Sequence, residues 1–586
     1  MSSYVTRPKV RVNTQETALH GYAPIHEKIA HSLEEVMSSC SDRVVLALEC
    51  YPGTDHEELL AQLIEPLGPS LTLFADDYAQ SVARVQERIK DCITEDRVFG
   101  VISHYTIDQF FEEPRIEEAR QKIAAAQGLV VVYGMGTTVL CEPDLVVYAS
   151  LTRWEVQCRY RRGVANWKAN NPGEDALRKF KRGYFFEWRV ADRQKSALFD
   201  TIDFLIDVNV ADDPRMVSGD AYRAALGQVA SQPFRLVPYF DASVWGGHWM
   251  QERFGLDPDA SNFGWAFDGV PEENSVLLDF GGVDVEIPAQ DVVFSHPVEL
   301  MGPKVHARFG TDYPIRFDYL DTMGGGNLSL QVHPLVAYIQ DRFGMAYTQD
   351  ESYYILDATA DSCVYLGVKT GTDKDEMFAS LRRAASGKEQ FADERYMNKI
   401  PVAKHDHVHI PAGTVHAGGA GTVILEISAT PYIFTFKLWD WGRVGLDGLP
   451  RPVHLDHGER NVLVERDTAC AEGRLTDRVG APHEDLSQEP GVRVEKTGLA
   501  DEEFIETRRY WFRDAATLST FESVNELNLV EGESVVVEGP DGSFSPLPVH
   551  YGETFIVPER VGTYRIRNTG DPSKEVAVIQ AFVRNL

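Results

Sequence analysis

The stretch Leu328-Ser329-Leu330-Gln331-Val332-His333-Pro334 alternates apolar and polar side chains at the period of a β-strand. Gln331 and His333 therefore share one face, while Leu330 and Val332 share the other. Further on, Glu351 opens the apolar strand Ser352 to Leu356, and His416 closes the segment Pro411-Ala412-Gly413-Thr414-Val415-His416. Two imidazoles, a carboxylate and an amide oxygen on successive β elements make a mixed N/O ligand set for a divalent transition metal. The chemistry implied is metal-assisted work on an oxygen-rich substrate. Any one of these histidines, taken alone, reads more readily as a satisfied structural residue.

The rest of the chain bounds what surrounds such a site. At 586 residues it is too long for one ordinary core, and two to four domains are expected. A net charge of −32 argues against nucleic-acid and anionic-membrane partners, which need basic patches. A small anionic substrate needs only a local cluster of cations and stays open. Seven cysteines without a CxxC pair read as reduced thiols of a cytoplasmic protein. No secretory leader or apolar run of about 18 residues stands out, so a soluble protein is expected. Oligomeric state is open, a homo-oligomer included.

Residues 1–232 alternate short apolar runs with helical stretches. Strands are expected at Val44 to Leu48, Leu71 to Phe74, Val98 to Ile102, Leu129 to Tyr133, Leu145 to Ala149 and Ile202 to Val208, with helices near Tyr78 to Ile89 and Ile116 to Ala126. This alternation implies an α/β domain with a parallel sheet, whose ligand site lies at the carboxyl ends of the strands. The first turn there, Glu49-Cys50-Tyr51-Pro52-Gly53-Thr54-Asp55, lacks the Gly-Lys-Ser/Thr ending of a phosphate loop and carries acidic residues instead. In general shape the segment resembles the nucleoside-kinase branch of P-loop proteins, in a degenerate form that has lost nucleotide chemistry. The basic helix Arg153 to Arg162 would then be a phosphate-binding lid, or else a solvated helix face or an interdomain contact.

After Pro233 short strands with Gly and Pro punctuation take over: Ser275 to Phe280, Gly282 to Ile287, Cys363 to Val368, Thr422 to Ile427 and Ile433 to Leu438. They point to a β-sandwich or jelly-roll barrel over residues 233–482, with Asp373 to Phe391 as a small helical insertion. The acidic stretch Ala481 to Gly491 reads as a linker into a second β domain over residues 483–586, with strands at Ser534 to Glu538, Glu553 to Val557, Gly562 to Arg567 and Val576 to Phe582.

In this order, Phe240-Asp241-Ala242-Ser243-Val244-Trp245-Gly246-Gly247, Leu328 to Pro334, Glu351-Ser352-Tyr353-Tyr354-Ile355 and Pro411 to His416 resemble type I mannose-6-phosphate isomerases. These are cupin-fold zinc enzymes that interconvert mannose 6-phosphate and fructose 6-phosphate. The resemblance covers Pro238 to Arg443 and extends more loosely to Leu586. It implies an all-β double cupin with a metal-free C-terminal half, and one zinc ion per chain held by Gln331, His333, Glu351 and His416. The partner it implies is a sugar or sugar phosphate. Glu426, ten residues past His416, falls near an acidic residue of the family's pocket and is the candidate base. Lys437 falls near the family's catalytic arginine, and Arg443 could replace it; the two cation types are not equivalent. The segment Lys404 to His409 also alternates histidines, but nothing at the family's spacing completes a second set, so an exposed edge strand is expected.

Three departures share one direction. Asp318 stands where the family has a lysine, Thr348-Gln349-Asp350-Glu351 lacks another, and the catalytic arginine is replaced or displaced. Arg316 and Ser329 are candidate substrate-binding residues that compensate in part. The metal chemistry thus reads as retained while the phosphate of the substrate is in question. Alternatives are a non-catalytic or altered-substrate sugar-binding protein and an iron-dependent cupin oxygenase.

Overall fold

The computed structural model describes residues 3–40, 42–429, 434–449, 451–484 and 486–584. It divides into two compact units: Lys9–Val229 with Ser275–Ser295, and Met1–Pro8 with Ala230–Asn274 and His296–Leu586. The strands Ser275–Phe280 and Val283–Pro288 therefore belong to the first unit and not to the β-rich region in which the sequence placed them. They form a hairpin closed by Gly281 and Gly282 at φ 68° and 95°, the paired left-handed geometry that a two-residue turn demands. Ser275–Phe280 also pairs in parallel with Val10–Arg11.

The main sheet of the first unit has seven strands. In spatial order they are Leu19–His20, Arg215–Ser218, Phe204–Asp207, Leu145–Ser150, Arg43–Cys50, Gly128–Gly134 and Leu71–Phe74. The last five run parallel. Counted along the chain and read from the Leu71 edge, they stand in the order 2-3-1-4-5. The first strand is thus central, and the connections diverge at its carboxyl end. Helices at Val82–Ile93 and Glu113–Ala125 match two of the expected helical segments. Val98 to Ile102 is not a strand. The Val101 amide donates to the Cys92 carbonyl at 2.7 Å and the Ser103 amide to the Phe185 carbonyl at 2.9 Å, so the end of one helix and a π-helical turn inside another absorb the bonds a sheet would have used.

At the carboxyl end of the central strand, the carboxylate of Glu49 accepts from the Gly136 and Thr137 amides at 2.6 and 2.8 Å and from the Thr137 hydroxyl at 2.6 Å. The glycine-rich turn after Gly128–Gly134 thus binds an internal carboxylate. The basic helix, Arg153–Arg161, buries Arg153 and Arg159 and leaves Arg161 exposed, so only part of it is a solvated face. Arg153 pairs with Asp192 at 2.6 Å, and Arg159 donates to the carbonyls of Gly53 and Val208 at 3.0 and 2.7 Å.

Burial pushes the Glu49 carboxyl up to about 7, against the three hydrogen bonds that favour its charged form. A group raised on folding contributes stability that is present below its unfolded value and lost as pH rises through the folded one. Glu49→Gln should therefore be more stable relative to the native chain at pH 8 than at pH 5, by on the order of 3 kcal/mol. Urea midpoints of the two proteins at both pH values check this; a difference that does not change with pH refutes it.

The β-rich unit contains two pairs of facing antiparallel sheets. In the first pair, the larger sheet runs Thr476–Asp477, His407–Ile410, Glu351–Ala358, Thr422–Ser428, Arg316–Asp321, Trp265–Gly269 and Tyr239–Asp241. The smaller runs Met397–Pro401, Cys363–Val368, His416–Gly418, Leu330–Val332 and Phe436–Trp439. The last of these begins three residues later than the sequence suggested; Ile433, its expected start, lies outside the described residues. The helix Lys374–Ala385, capped by Asp373 accepting from the Glu376 amide, accounts for the helical insertion.

The second pair joins a five-stranded sheet (Val492–Thr497, Ile505–Phe512, Val576–Val583, Asn525–Glu531, Thr554–Val557) to a four-stranded one (Ala515–Ser519, Thr563–Asn568, Ser534–Glu538, Leu547–His550). Its interior is apolar, built from Phe512, Leu527, Val537, Phe555 and Ile566 among others. Arg509 and Asn528 on the outer face of its five-stranded sheet reach Tyr354 and Tyr319 of the first pair.

His407 and His409 do not lie on an exposed edge. Their strand is covered by Thr476–Asp477, and both rings are buried. His407 Nε2 bonds Ser352 Oγ at 2.9 Å, and His409 Nε2 meets Glu503 at 2.5 Å. The alternation was genuine, but both faces of this strand are packed. Among the described residues no helix is long and apolar enough to cross a membrane.

Candidate metal centre

Glu351 opens its strand with the side chain directed at the facing sheet. Its Oε1 lies 2.8 Å from His416 Nε2 and its Oε2 3.1 Å from His333 Nε2. All three residues are fully buried. Their ligand atoms lie within 4.8 Å of one another, the one such group of three among the described residues.

The outer ring nitrogens fix the tautomers. His333 Nδ1 donates to the Phe434 carbonyl at 2.7 Å and His416 Nδ1 to the Thr414 carbonyl at 2.9 Å. Both Nε2 lone pairs then point inward, the arrangement that orients imidazole ligands. His333 Nε2 and Glu351 Oε1 are buried without a hydrogen-bond partner. Two inward lone pairs facing a carboxylate are costly in a dry interior unless a cation joins them, so this donor set fits a divalent metal.

Gln331 pairs in register with His416 on one side and Lys437 on the other. Its amide end comes within 3.1 Å of His416 Nε2, and a half-turn of the amide presents its oxygen there. The four expected ligands are thus brought together. Lys437, sharing Gln331's row, projects from the same face of the smaller sheet. Ser329, two residues before Gln331, is also buried. Arg443 instead turns back on Asp440, which also binds Arg451.

Glu426 stands in the larger sheet between Asp318 and Tyr353. Burial, then the nearby Asp318 and Glu351 carboxyls, push its own carboxyl well above the ordinary value, against the opposing charge of Arg316. Arg316 is wholly buried, 3.2 Å from Asp318 and 3.6 Å from Glu273.

Sequence reading passed over Gln349. Its Nε2 donates to Glu351 at 2.9 Å and to Glu426 at 3.1 Å, while its Oε1 accepts from the Phe434 amide at 3.2 Å. One amide thus ties the candidate base to a metal ligand and to Phe434, the residue whose carbonyl orients His333. The two-residue spacing from Glu351 was the available signal, since it puts both side chains on one face of an extended segment. Gln349→Leu is expected to weaken metal binding 10- to 100-fold, the usual range for a lost outer-shell partner. Competition with a chelator measures this; unchanged affinity would refute it.

Residues 21–231 match a family model described as a domain of unknown function (DUF8485). The chain is 27% identical over 228 residues to the mannose-6-phosphate isomerase of Streptococcus mutans, an alignment spanning 39% of this chain and 66% of that relative. It is 22% identical over 340 residues to the mannose-6-phosphate isomerase ManA of Bacillus subtilis, covering 58% of this chain and 96% of the relative. Among solved structures, the mannose 6-phosphate isomerase of Bacillus subtilis aligns at 19% identity with a TM-score of 0.47, over 60% of this chain and 99% of that one. The resemblance read from the sequence is thereby borne out: the chain has mannose-6-phosphate isomerases among its homologues.

Proposed function

We propose that the β-rich unit is a zinc-dependent aldose–ketose isomerase that interconverts mannose 6-phosphate and fructose 6-phosphate, or a related sugar. The observation that carries this reading is the convergence of His333, Glu351 and His416 inside the first pair of sheets, with His333 Nε2 and Glu351 Oε1 lacking a hydrogen-bond partner. These residues and Gln331 would hold a divalent ion, which when bound would supply Lewis-acid polarisation of the sugar's oxygens.

The chain's own groups carry the rest. Isomerisation moves a proton between C1 and C2 through an enediol, and Glu426 is the carboxyl placed to hold that proton. Gln349 fixes Glu426 relative to Glu351. Lys437, in the row of Gln331, offers positive charge on the metal-facing side, ahead of its alternative Arg443, which is held on Asp440; Arg316 and Ser329 are assigned to the substrate's other oxygens. Walls of strand on both sides keep bulk water from the reacting carbons.

We further infer that the two pairs of facing sheets form a double cupin, and that the first unit is a degenerate relative of P-loop kinases. The 2-3-1-4-5 strand order and the acidic first turn support the latter.

The test is an isomerase assay of the zinc-loaded full-length chain on phosphorylated and free aldoses, with Glu351→Ala as control. Ketose formation that disappears in the variant is expected. No turnover of any aldose at full zinc occupancy would contradict the reading.

A further inference from the structure

The larger sheet carries a second set of buried polar groups on the face that Glu351 turns toward the metal ligands. Strand register defines it. Glu351, Ser428 and Arg316 stand side by side, and two residues along, Tyr353, Glu426 and Asp318 form the next row on the same face. The Tyr353 ring lies 5.7 Å from that of His416, centroid to centroid, so this row also faces the smaller sheet.

None of the six is more than 4% exposed. Nevertheless Arg316 Nε and Nη1, Asp318 Oδ1, Ser428 Oγ and Tyr353 Oη have no hydrogen-bond partner. Atoms of this kind are costly to leave unpaired in a dry interior. The other pair of sheets encloses Leu527, Val537, Phe555 and Ile566 instead, so the architecture does not require a polar interior. This wall is built for a polar occupant.

The kinds of atom narrow what that occupant is. Arg316 only donates, an ionised carboxylate only accepts, and a protonated carboxyl, like the Ser428 and Tyr353 hydroxyls, does both. Donors and acceptors interleaved in this way suit hydroxyl groups, which themselves donate and accept. A phosphate dianion only accepts, and would meet carboxyl oxygens in both rows. The charge of Arg316 is already matched by Asp318 at 3.2 Å and Glu273 at 3.6 Å. Apart from the divalent ion assigned to Glu351, Lys437 on the facing sheet adds one cation beside the Glu426 and Asp318 carboxyls.

We propose that this wall is a polyol subsite and that the sugar taken by the site is an unphosphorylated aldose, its hydroxyls bound by Arg316, Asp318, Ser428 and Tyr353. Turnover of that sugar rests on the isomerase reading above; binding does not.

The experiment uses the zinc-loaded full-length chain. It compares kcat/KM for D-mannose and mannose 6-phosphate, and calorimetric affinity for D-mannitol and mannitol 1-phosphate. The neutral member of each pair is expected to be favoured at least about tenfold, since a site whose acceptors are left unpaired rejects the wrong ligand strongly. Asp318→Asn should weaken mannitol binding about tenfold or more while zinc stays at one per chain. Ser428→Ala, which removes a single hydroxyl, gives the same test should the first variant fold poorly. Preference for the phosphorylated member, no binding of mannitol, or unaltered mannitol binding in a folded variant would each overturn the proposal. Mannitol binding at full zinc occupancy without turnover of either sugar would support the subsite and sink the isomerase reading.

Discussion

His333→Ala is expected to abolish stoichiometric zinc binding and isomerase activity together. The imidazole is fully buried, and its Nδ1 bond to the Phe434 carbonyl leaves Nε2 as an inward donor with no other protein partner. Alanine leaves Glu351 with one facing imidazole, His416, and leaves the Phe434 carbonyl without its donor. Lost polarisation of the sugar oxygens is worth several kcal/mol, so kcat should fall by about 10³ or more. Metal content after dialysis and the initial rate, measured on the same sample, check the two losses. Full activity with bound zinc would mean that the ligand set is wrong.

Glu426→Gln should separate the two functions that His333→Ala removes together. The substitution keeps the shape and leaves an amide oxygen that can still accept from Gln349 Nε2, 3.1 Å from the native carboxylate. What it removes is a group that takes up and releases a proton. Burial between Asp318 and Tyr353 raises the native carboxyl, so that it holds a proton far more readily than a surface glutamate does. Loss of a positioned acid–base group lowers rates by about 10²- to 10⁴-fold. We expect kcat to fall within that range with zinc unchanged at one per chain. An active Glu426→Gln enzyme would transfer the role to another group, with Asp318 the nearest carboxyl in register.

The residues that announced themselves in the sequence did so through periodicity. Gln331 and His333 alternate with apolar neighbours because one face of Leu330–Val332 meets the core and the other meets the site. Gln349, Asp318 and Tyr353 were harder to read because their roles depend on cross-strand register, which brings together positions distant in sequence. Val98 to Ile102 is apolar enough for a strand, yet the Val101 and Ser103 amides bond to carbonyls of helices, one at a helix end and one in a π-helical turn. The hairpin at Ser275–Pro288 has a strand pattern indistinguishable from those around it, and its place in the first unit follows from pairing with Val10–Arg11. His407 and His409 misled for a related reason: alternation identifies the strand but does not say whether a neighbouring strand covers it.

The most direct test of an isomerase that moves its proton through Glu426 is to run the reaction in heavy water. The zinc-loaded chain is incubated with D-mannose and with mannose 6-phosphate in D₂O, and the ketose is analysed for deuterium at C1. The prediction is a ketose that carries solvent deuterium there, formed only while zinc is bound and lost in Glu426→Gln. No ketose from either sugar, with zinc confirmed at one ion per chain, would contradict the account.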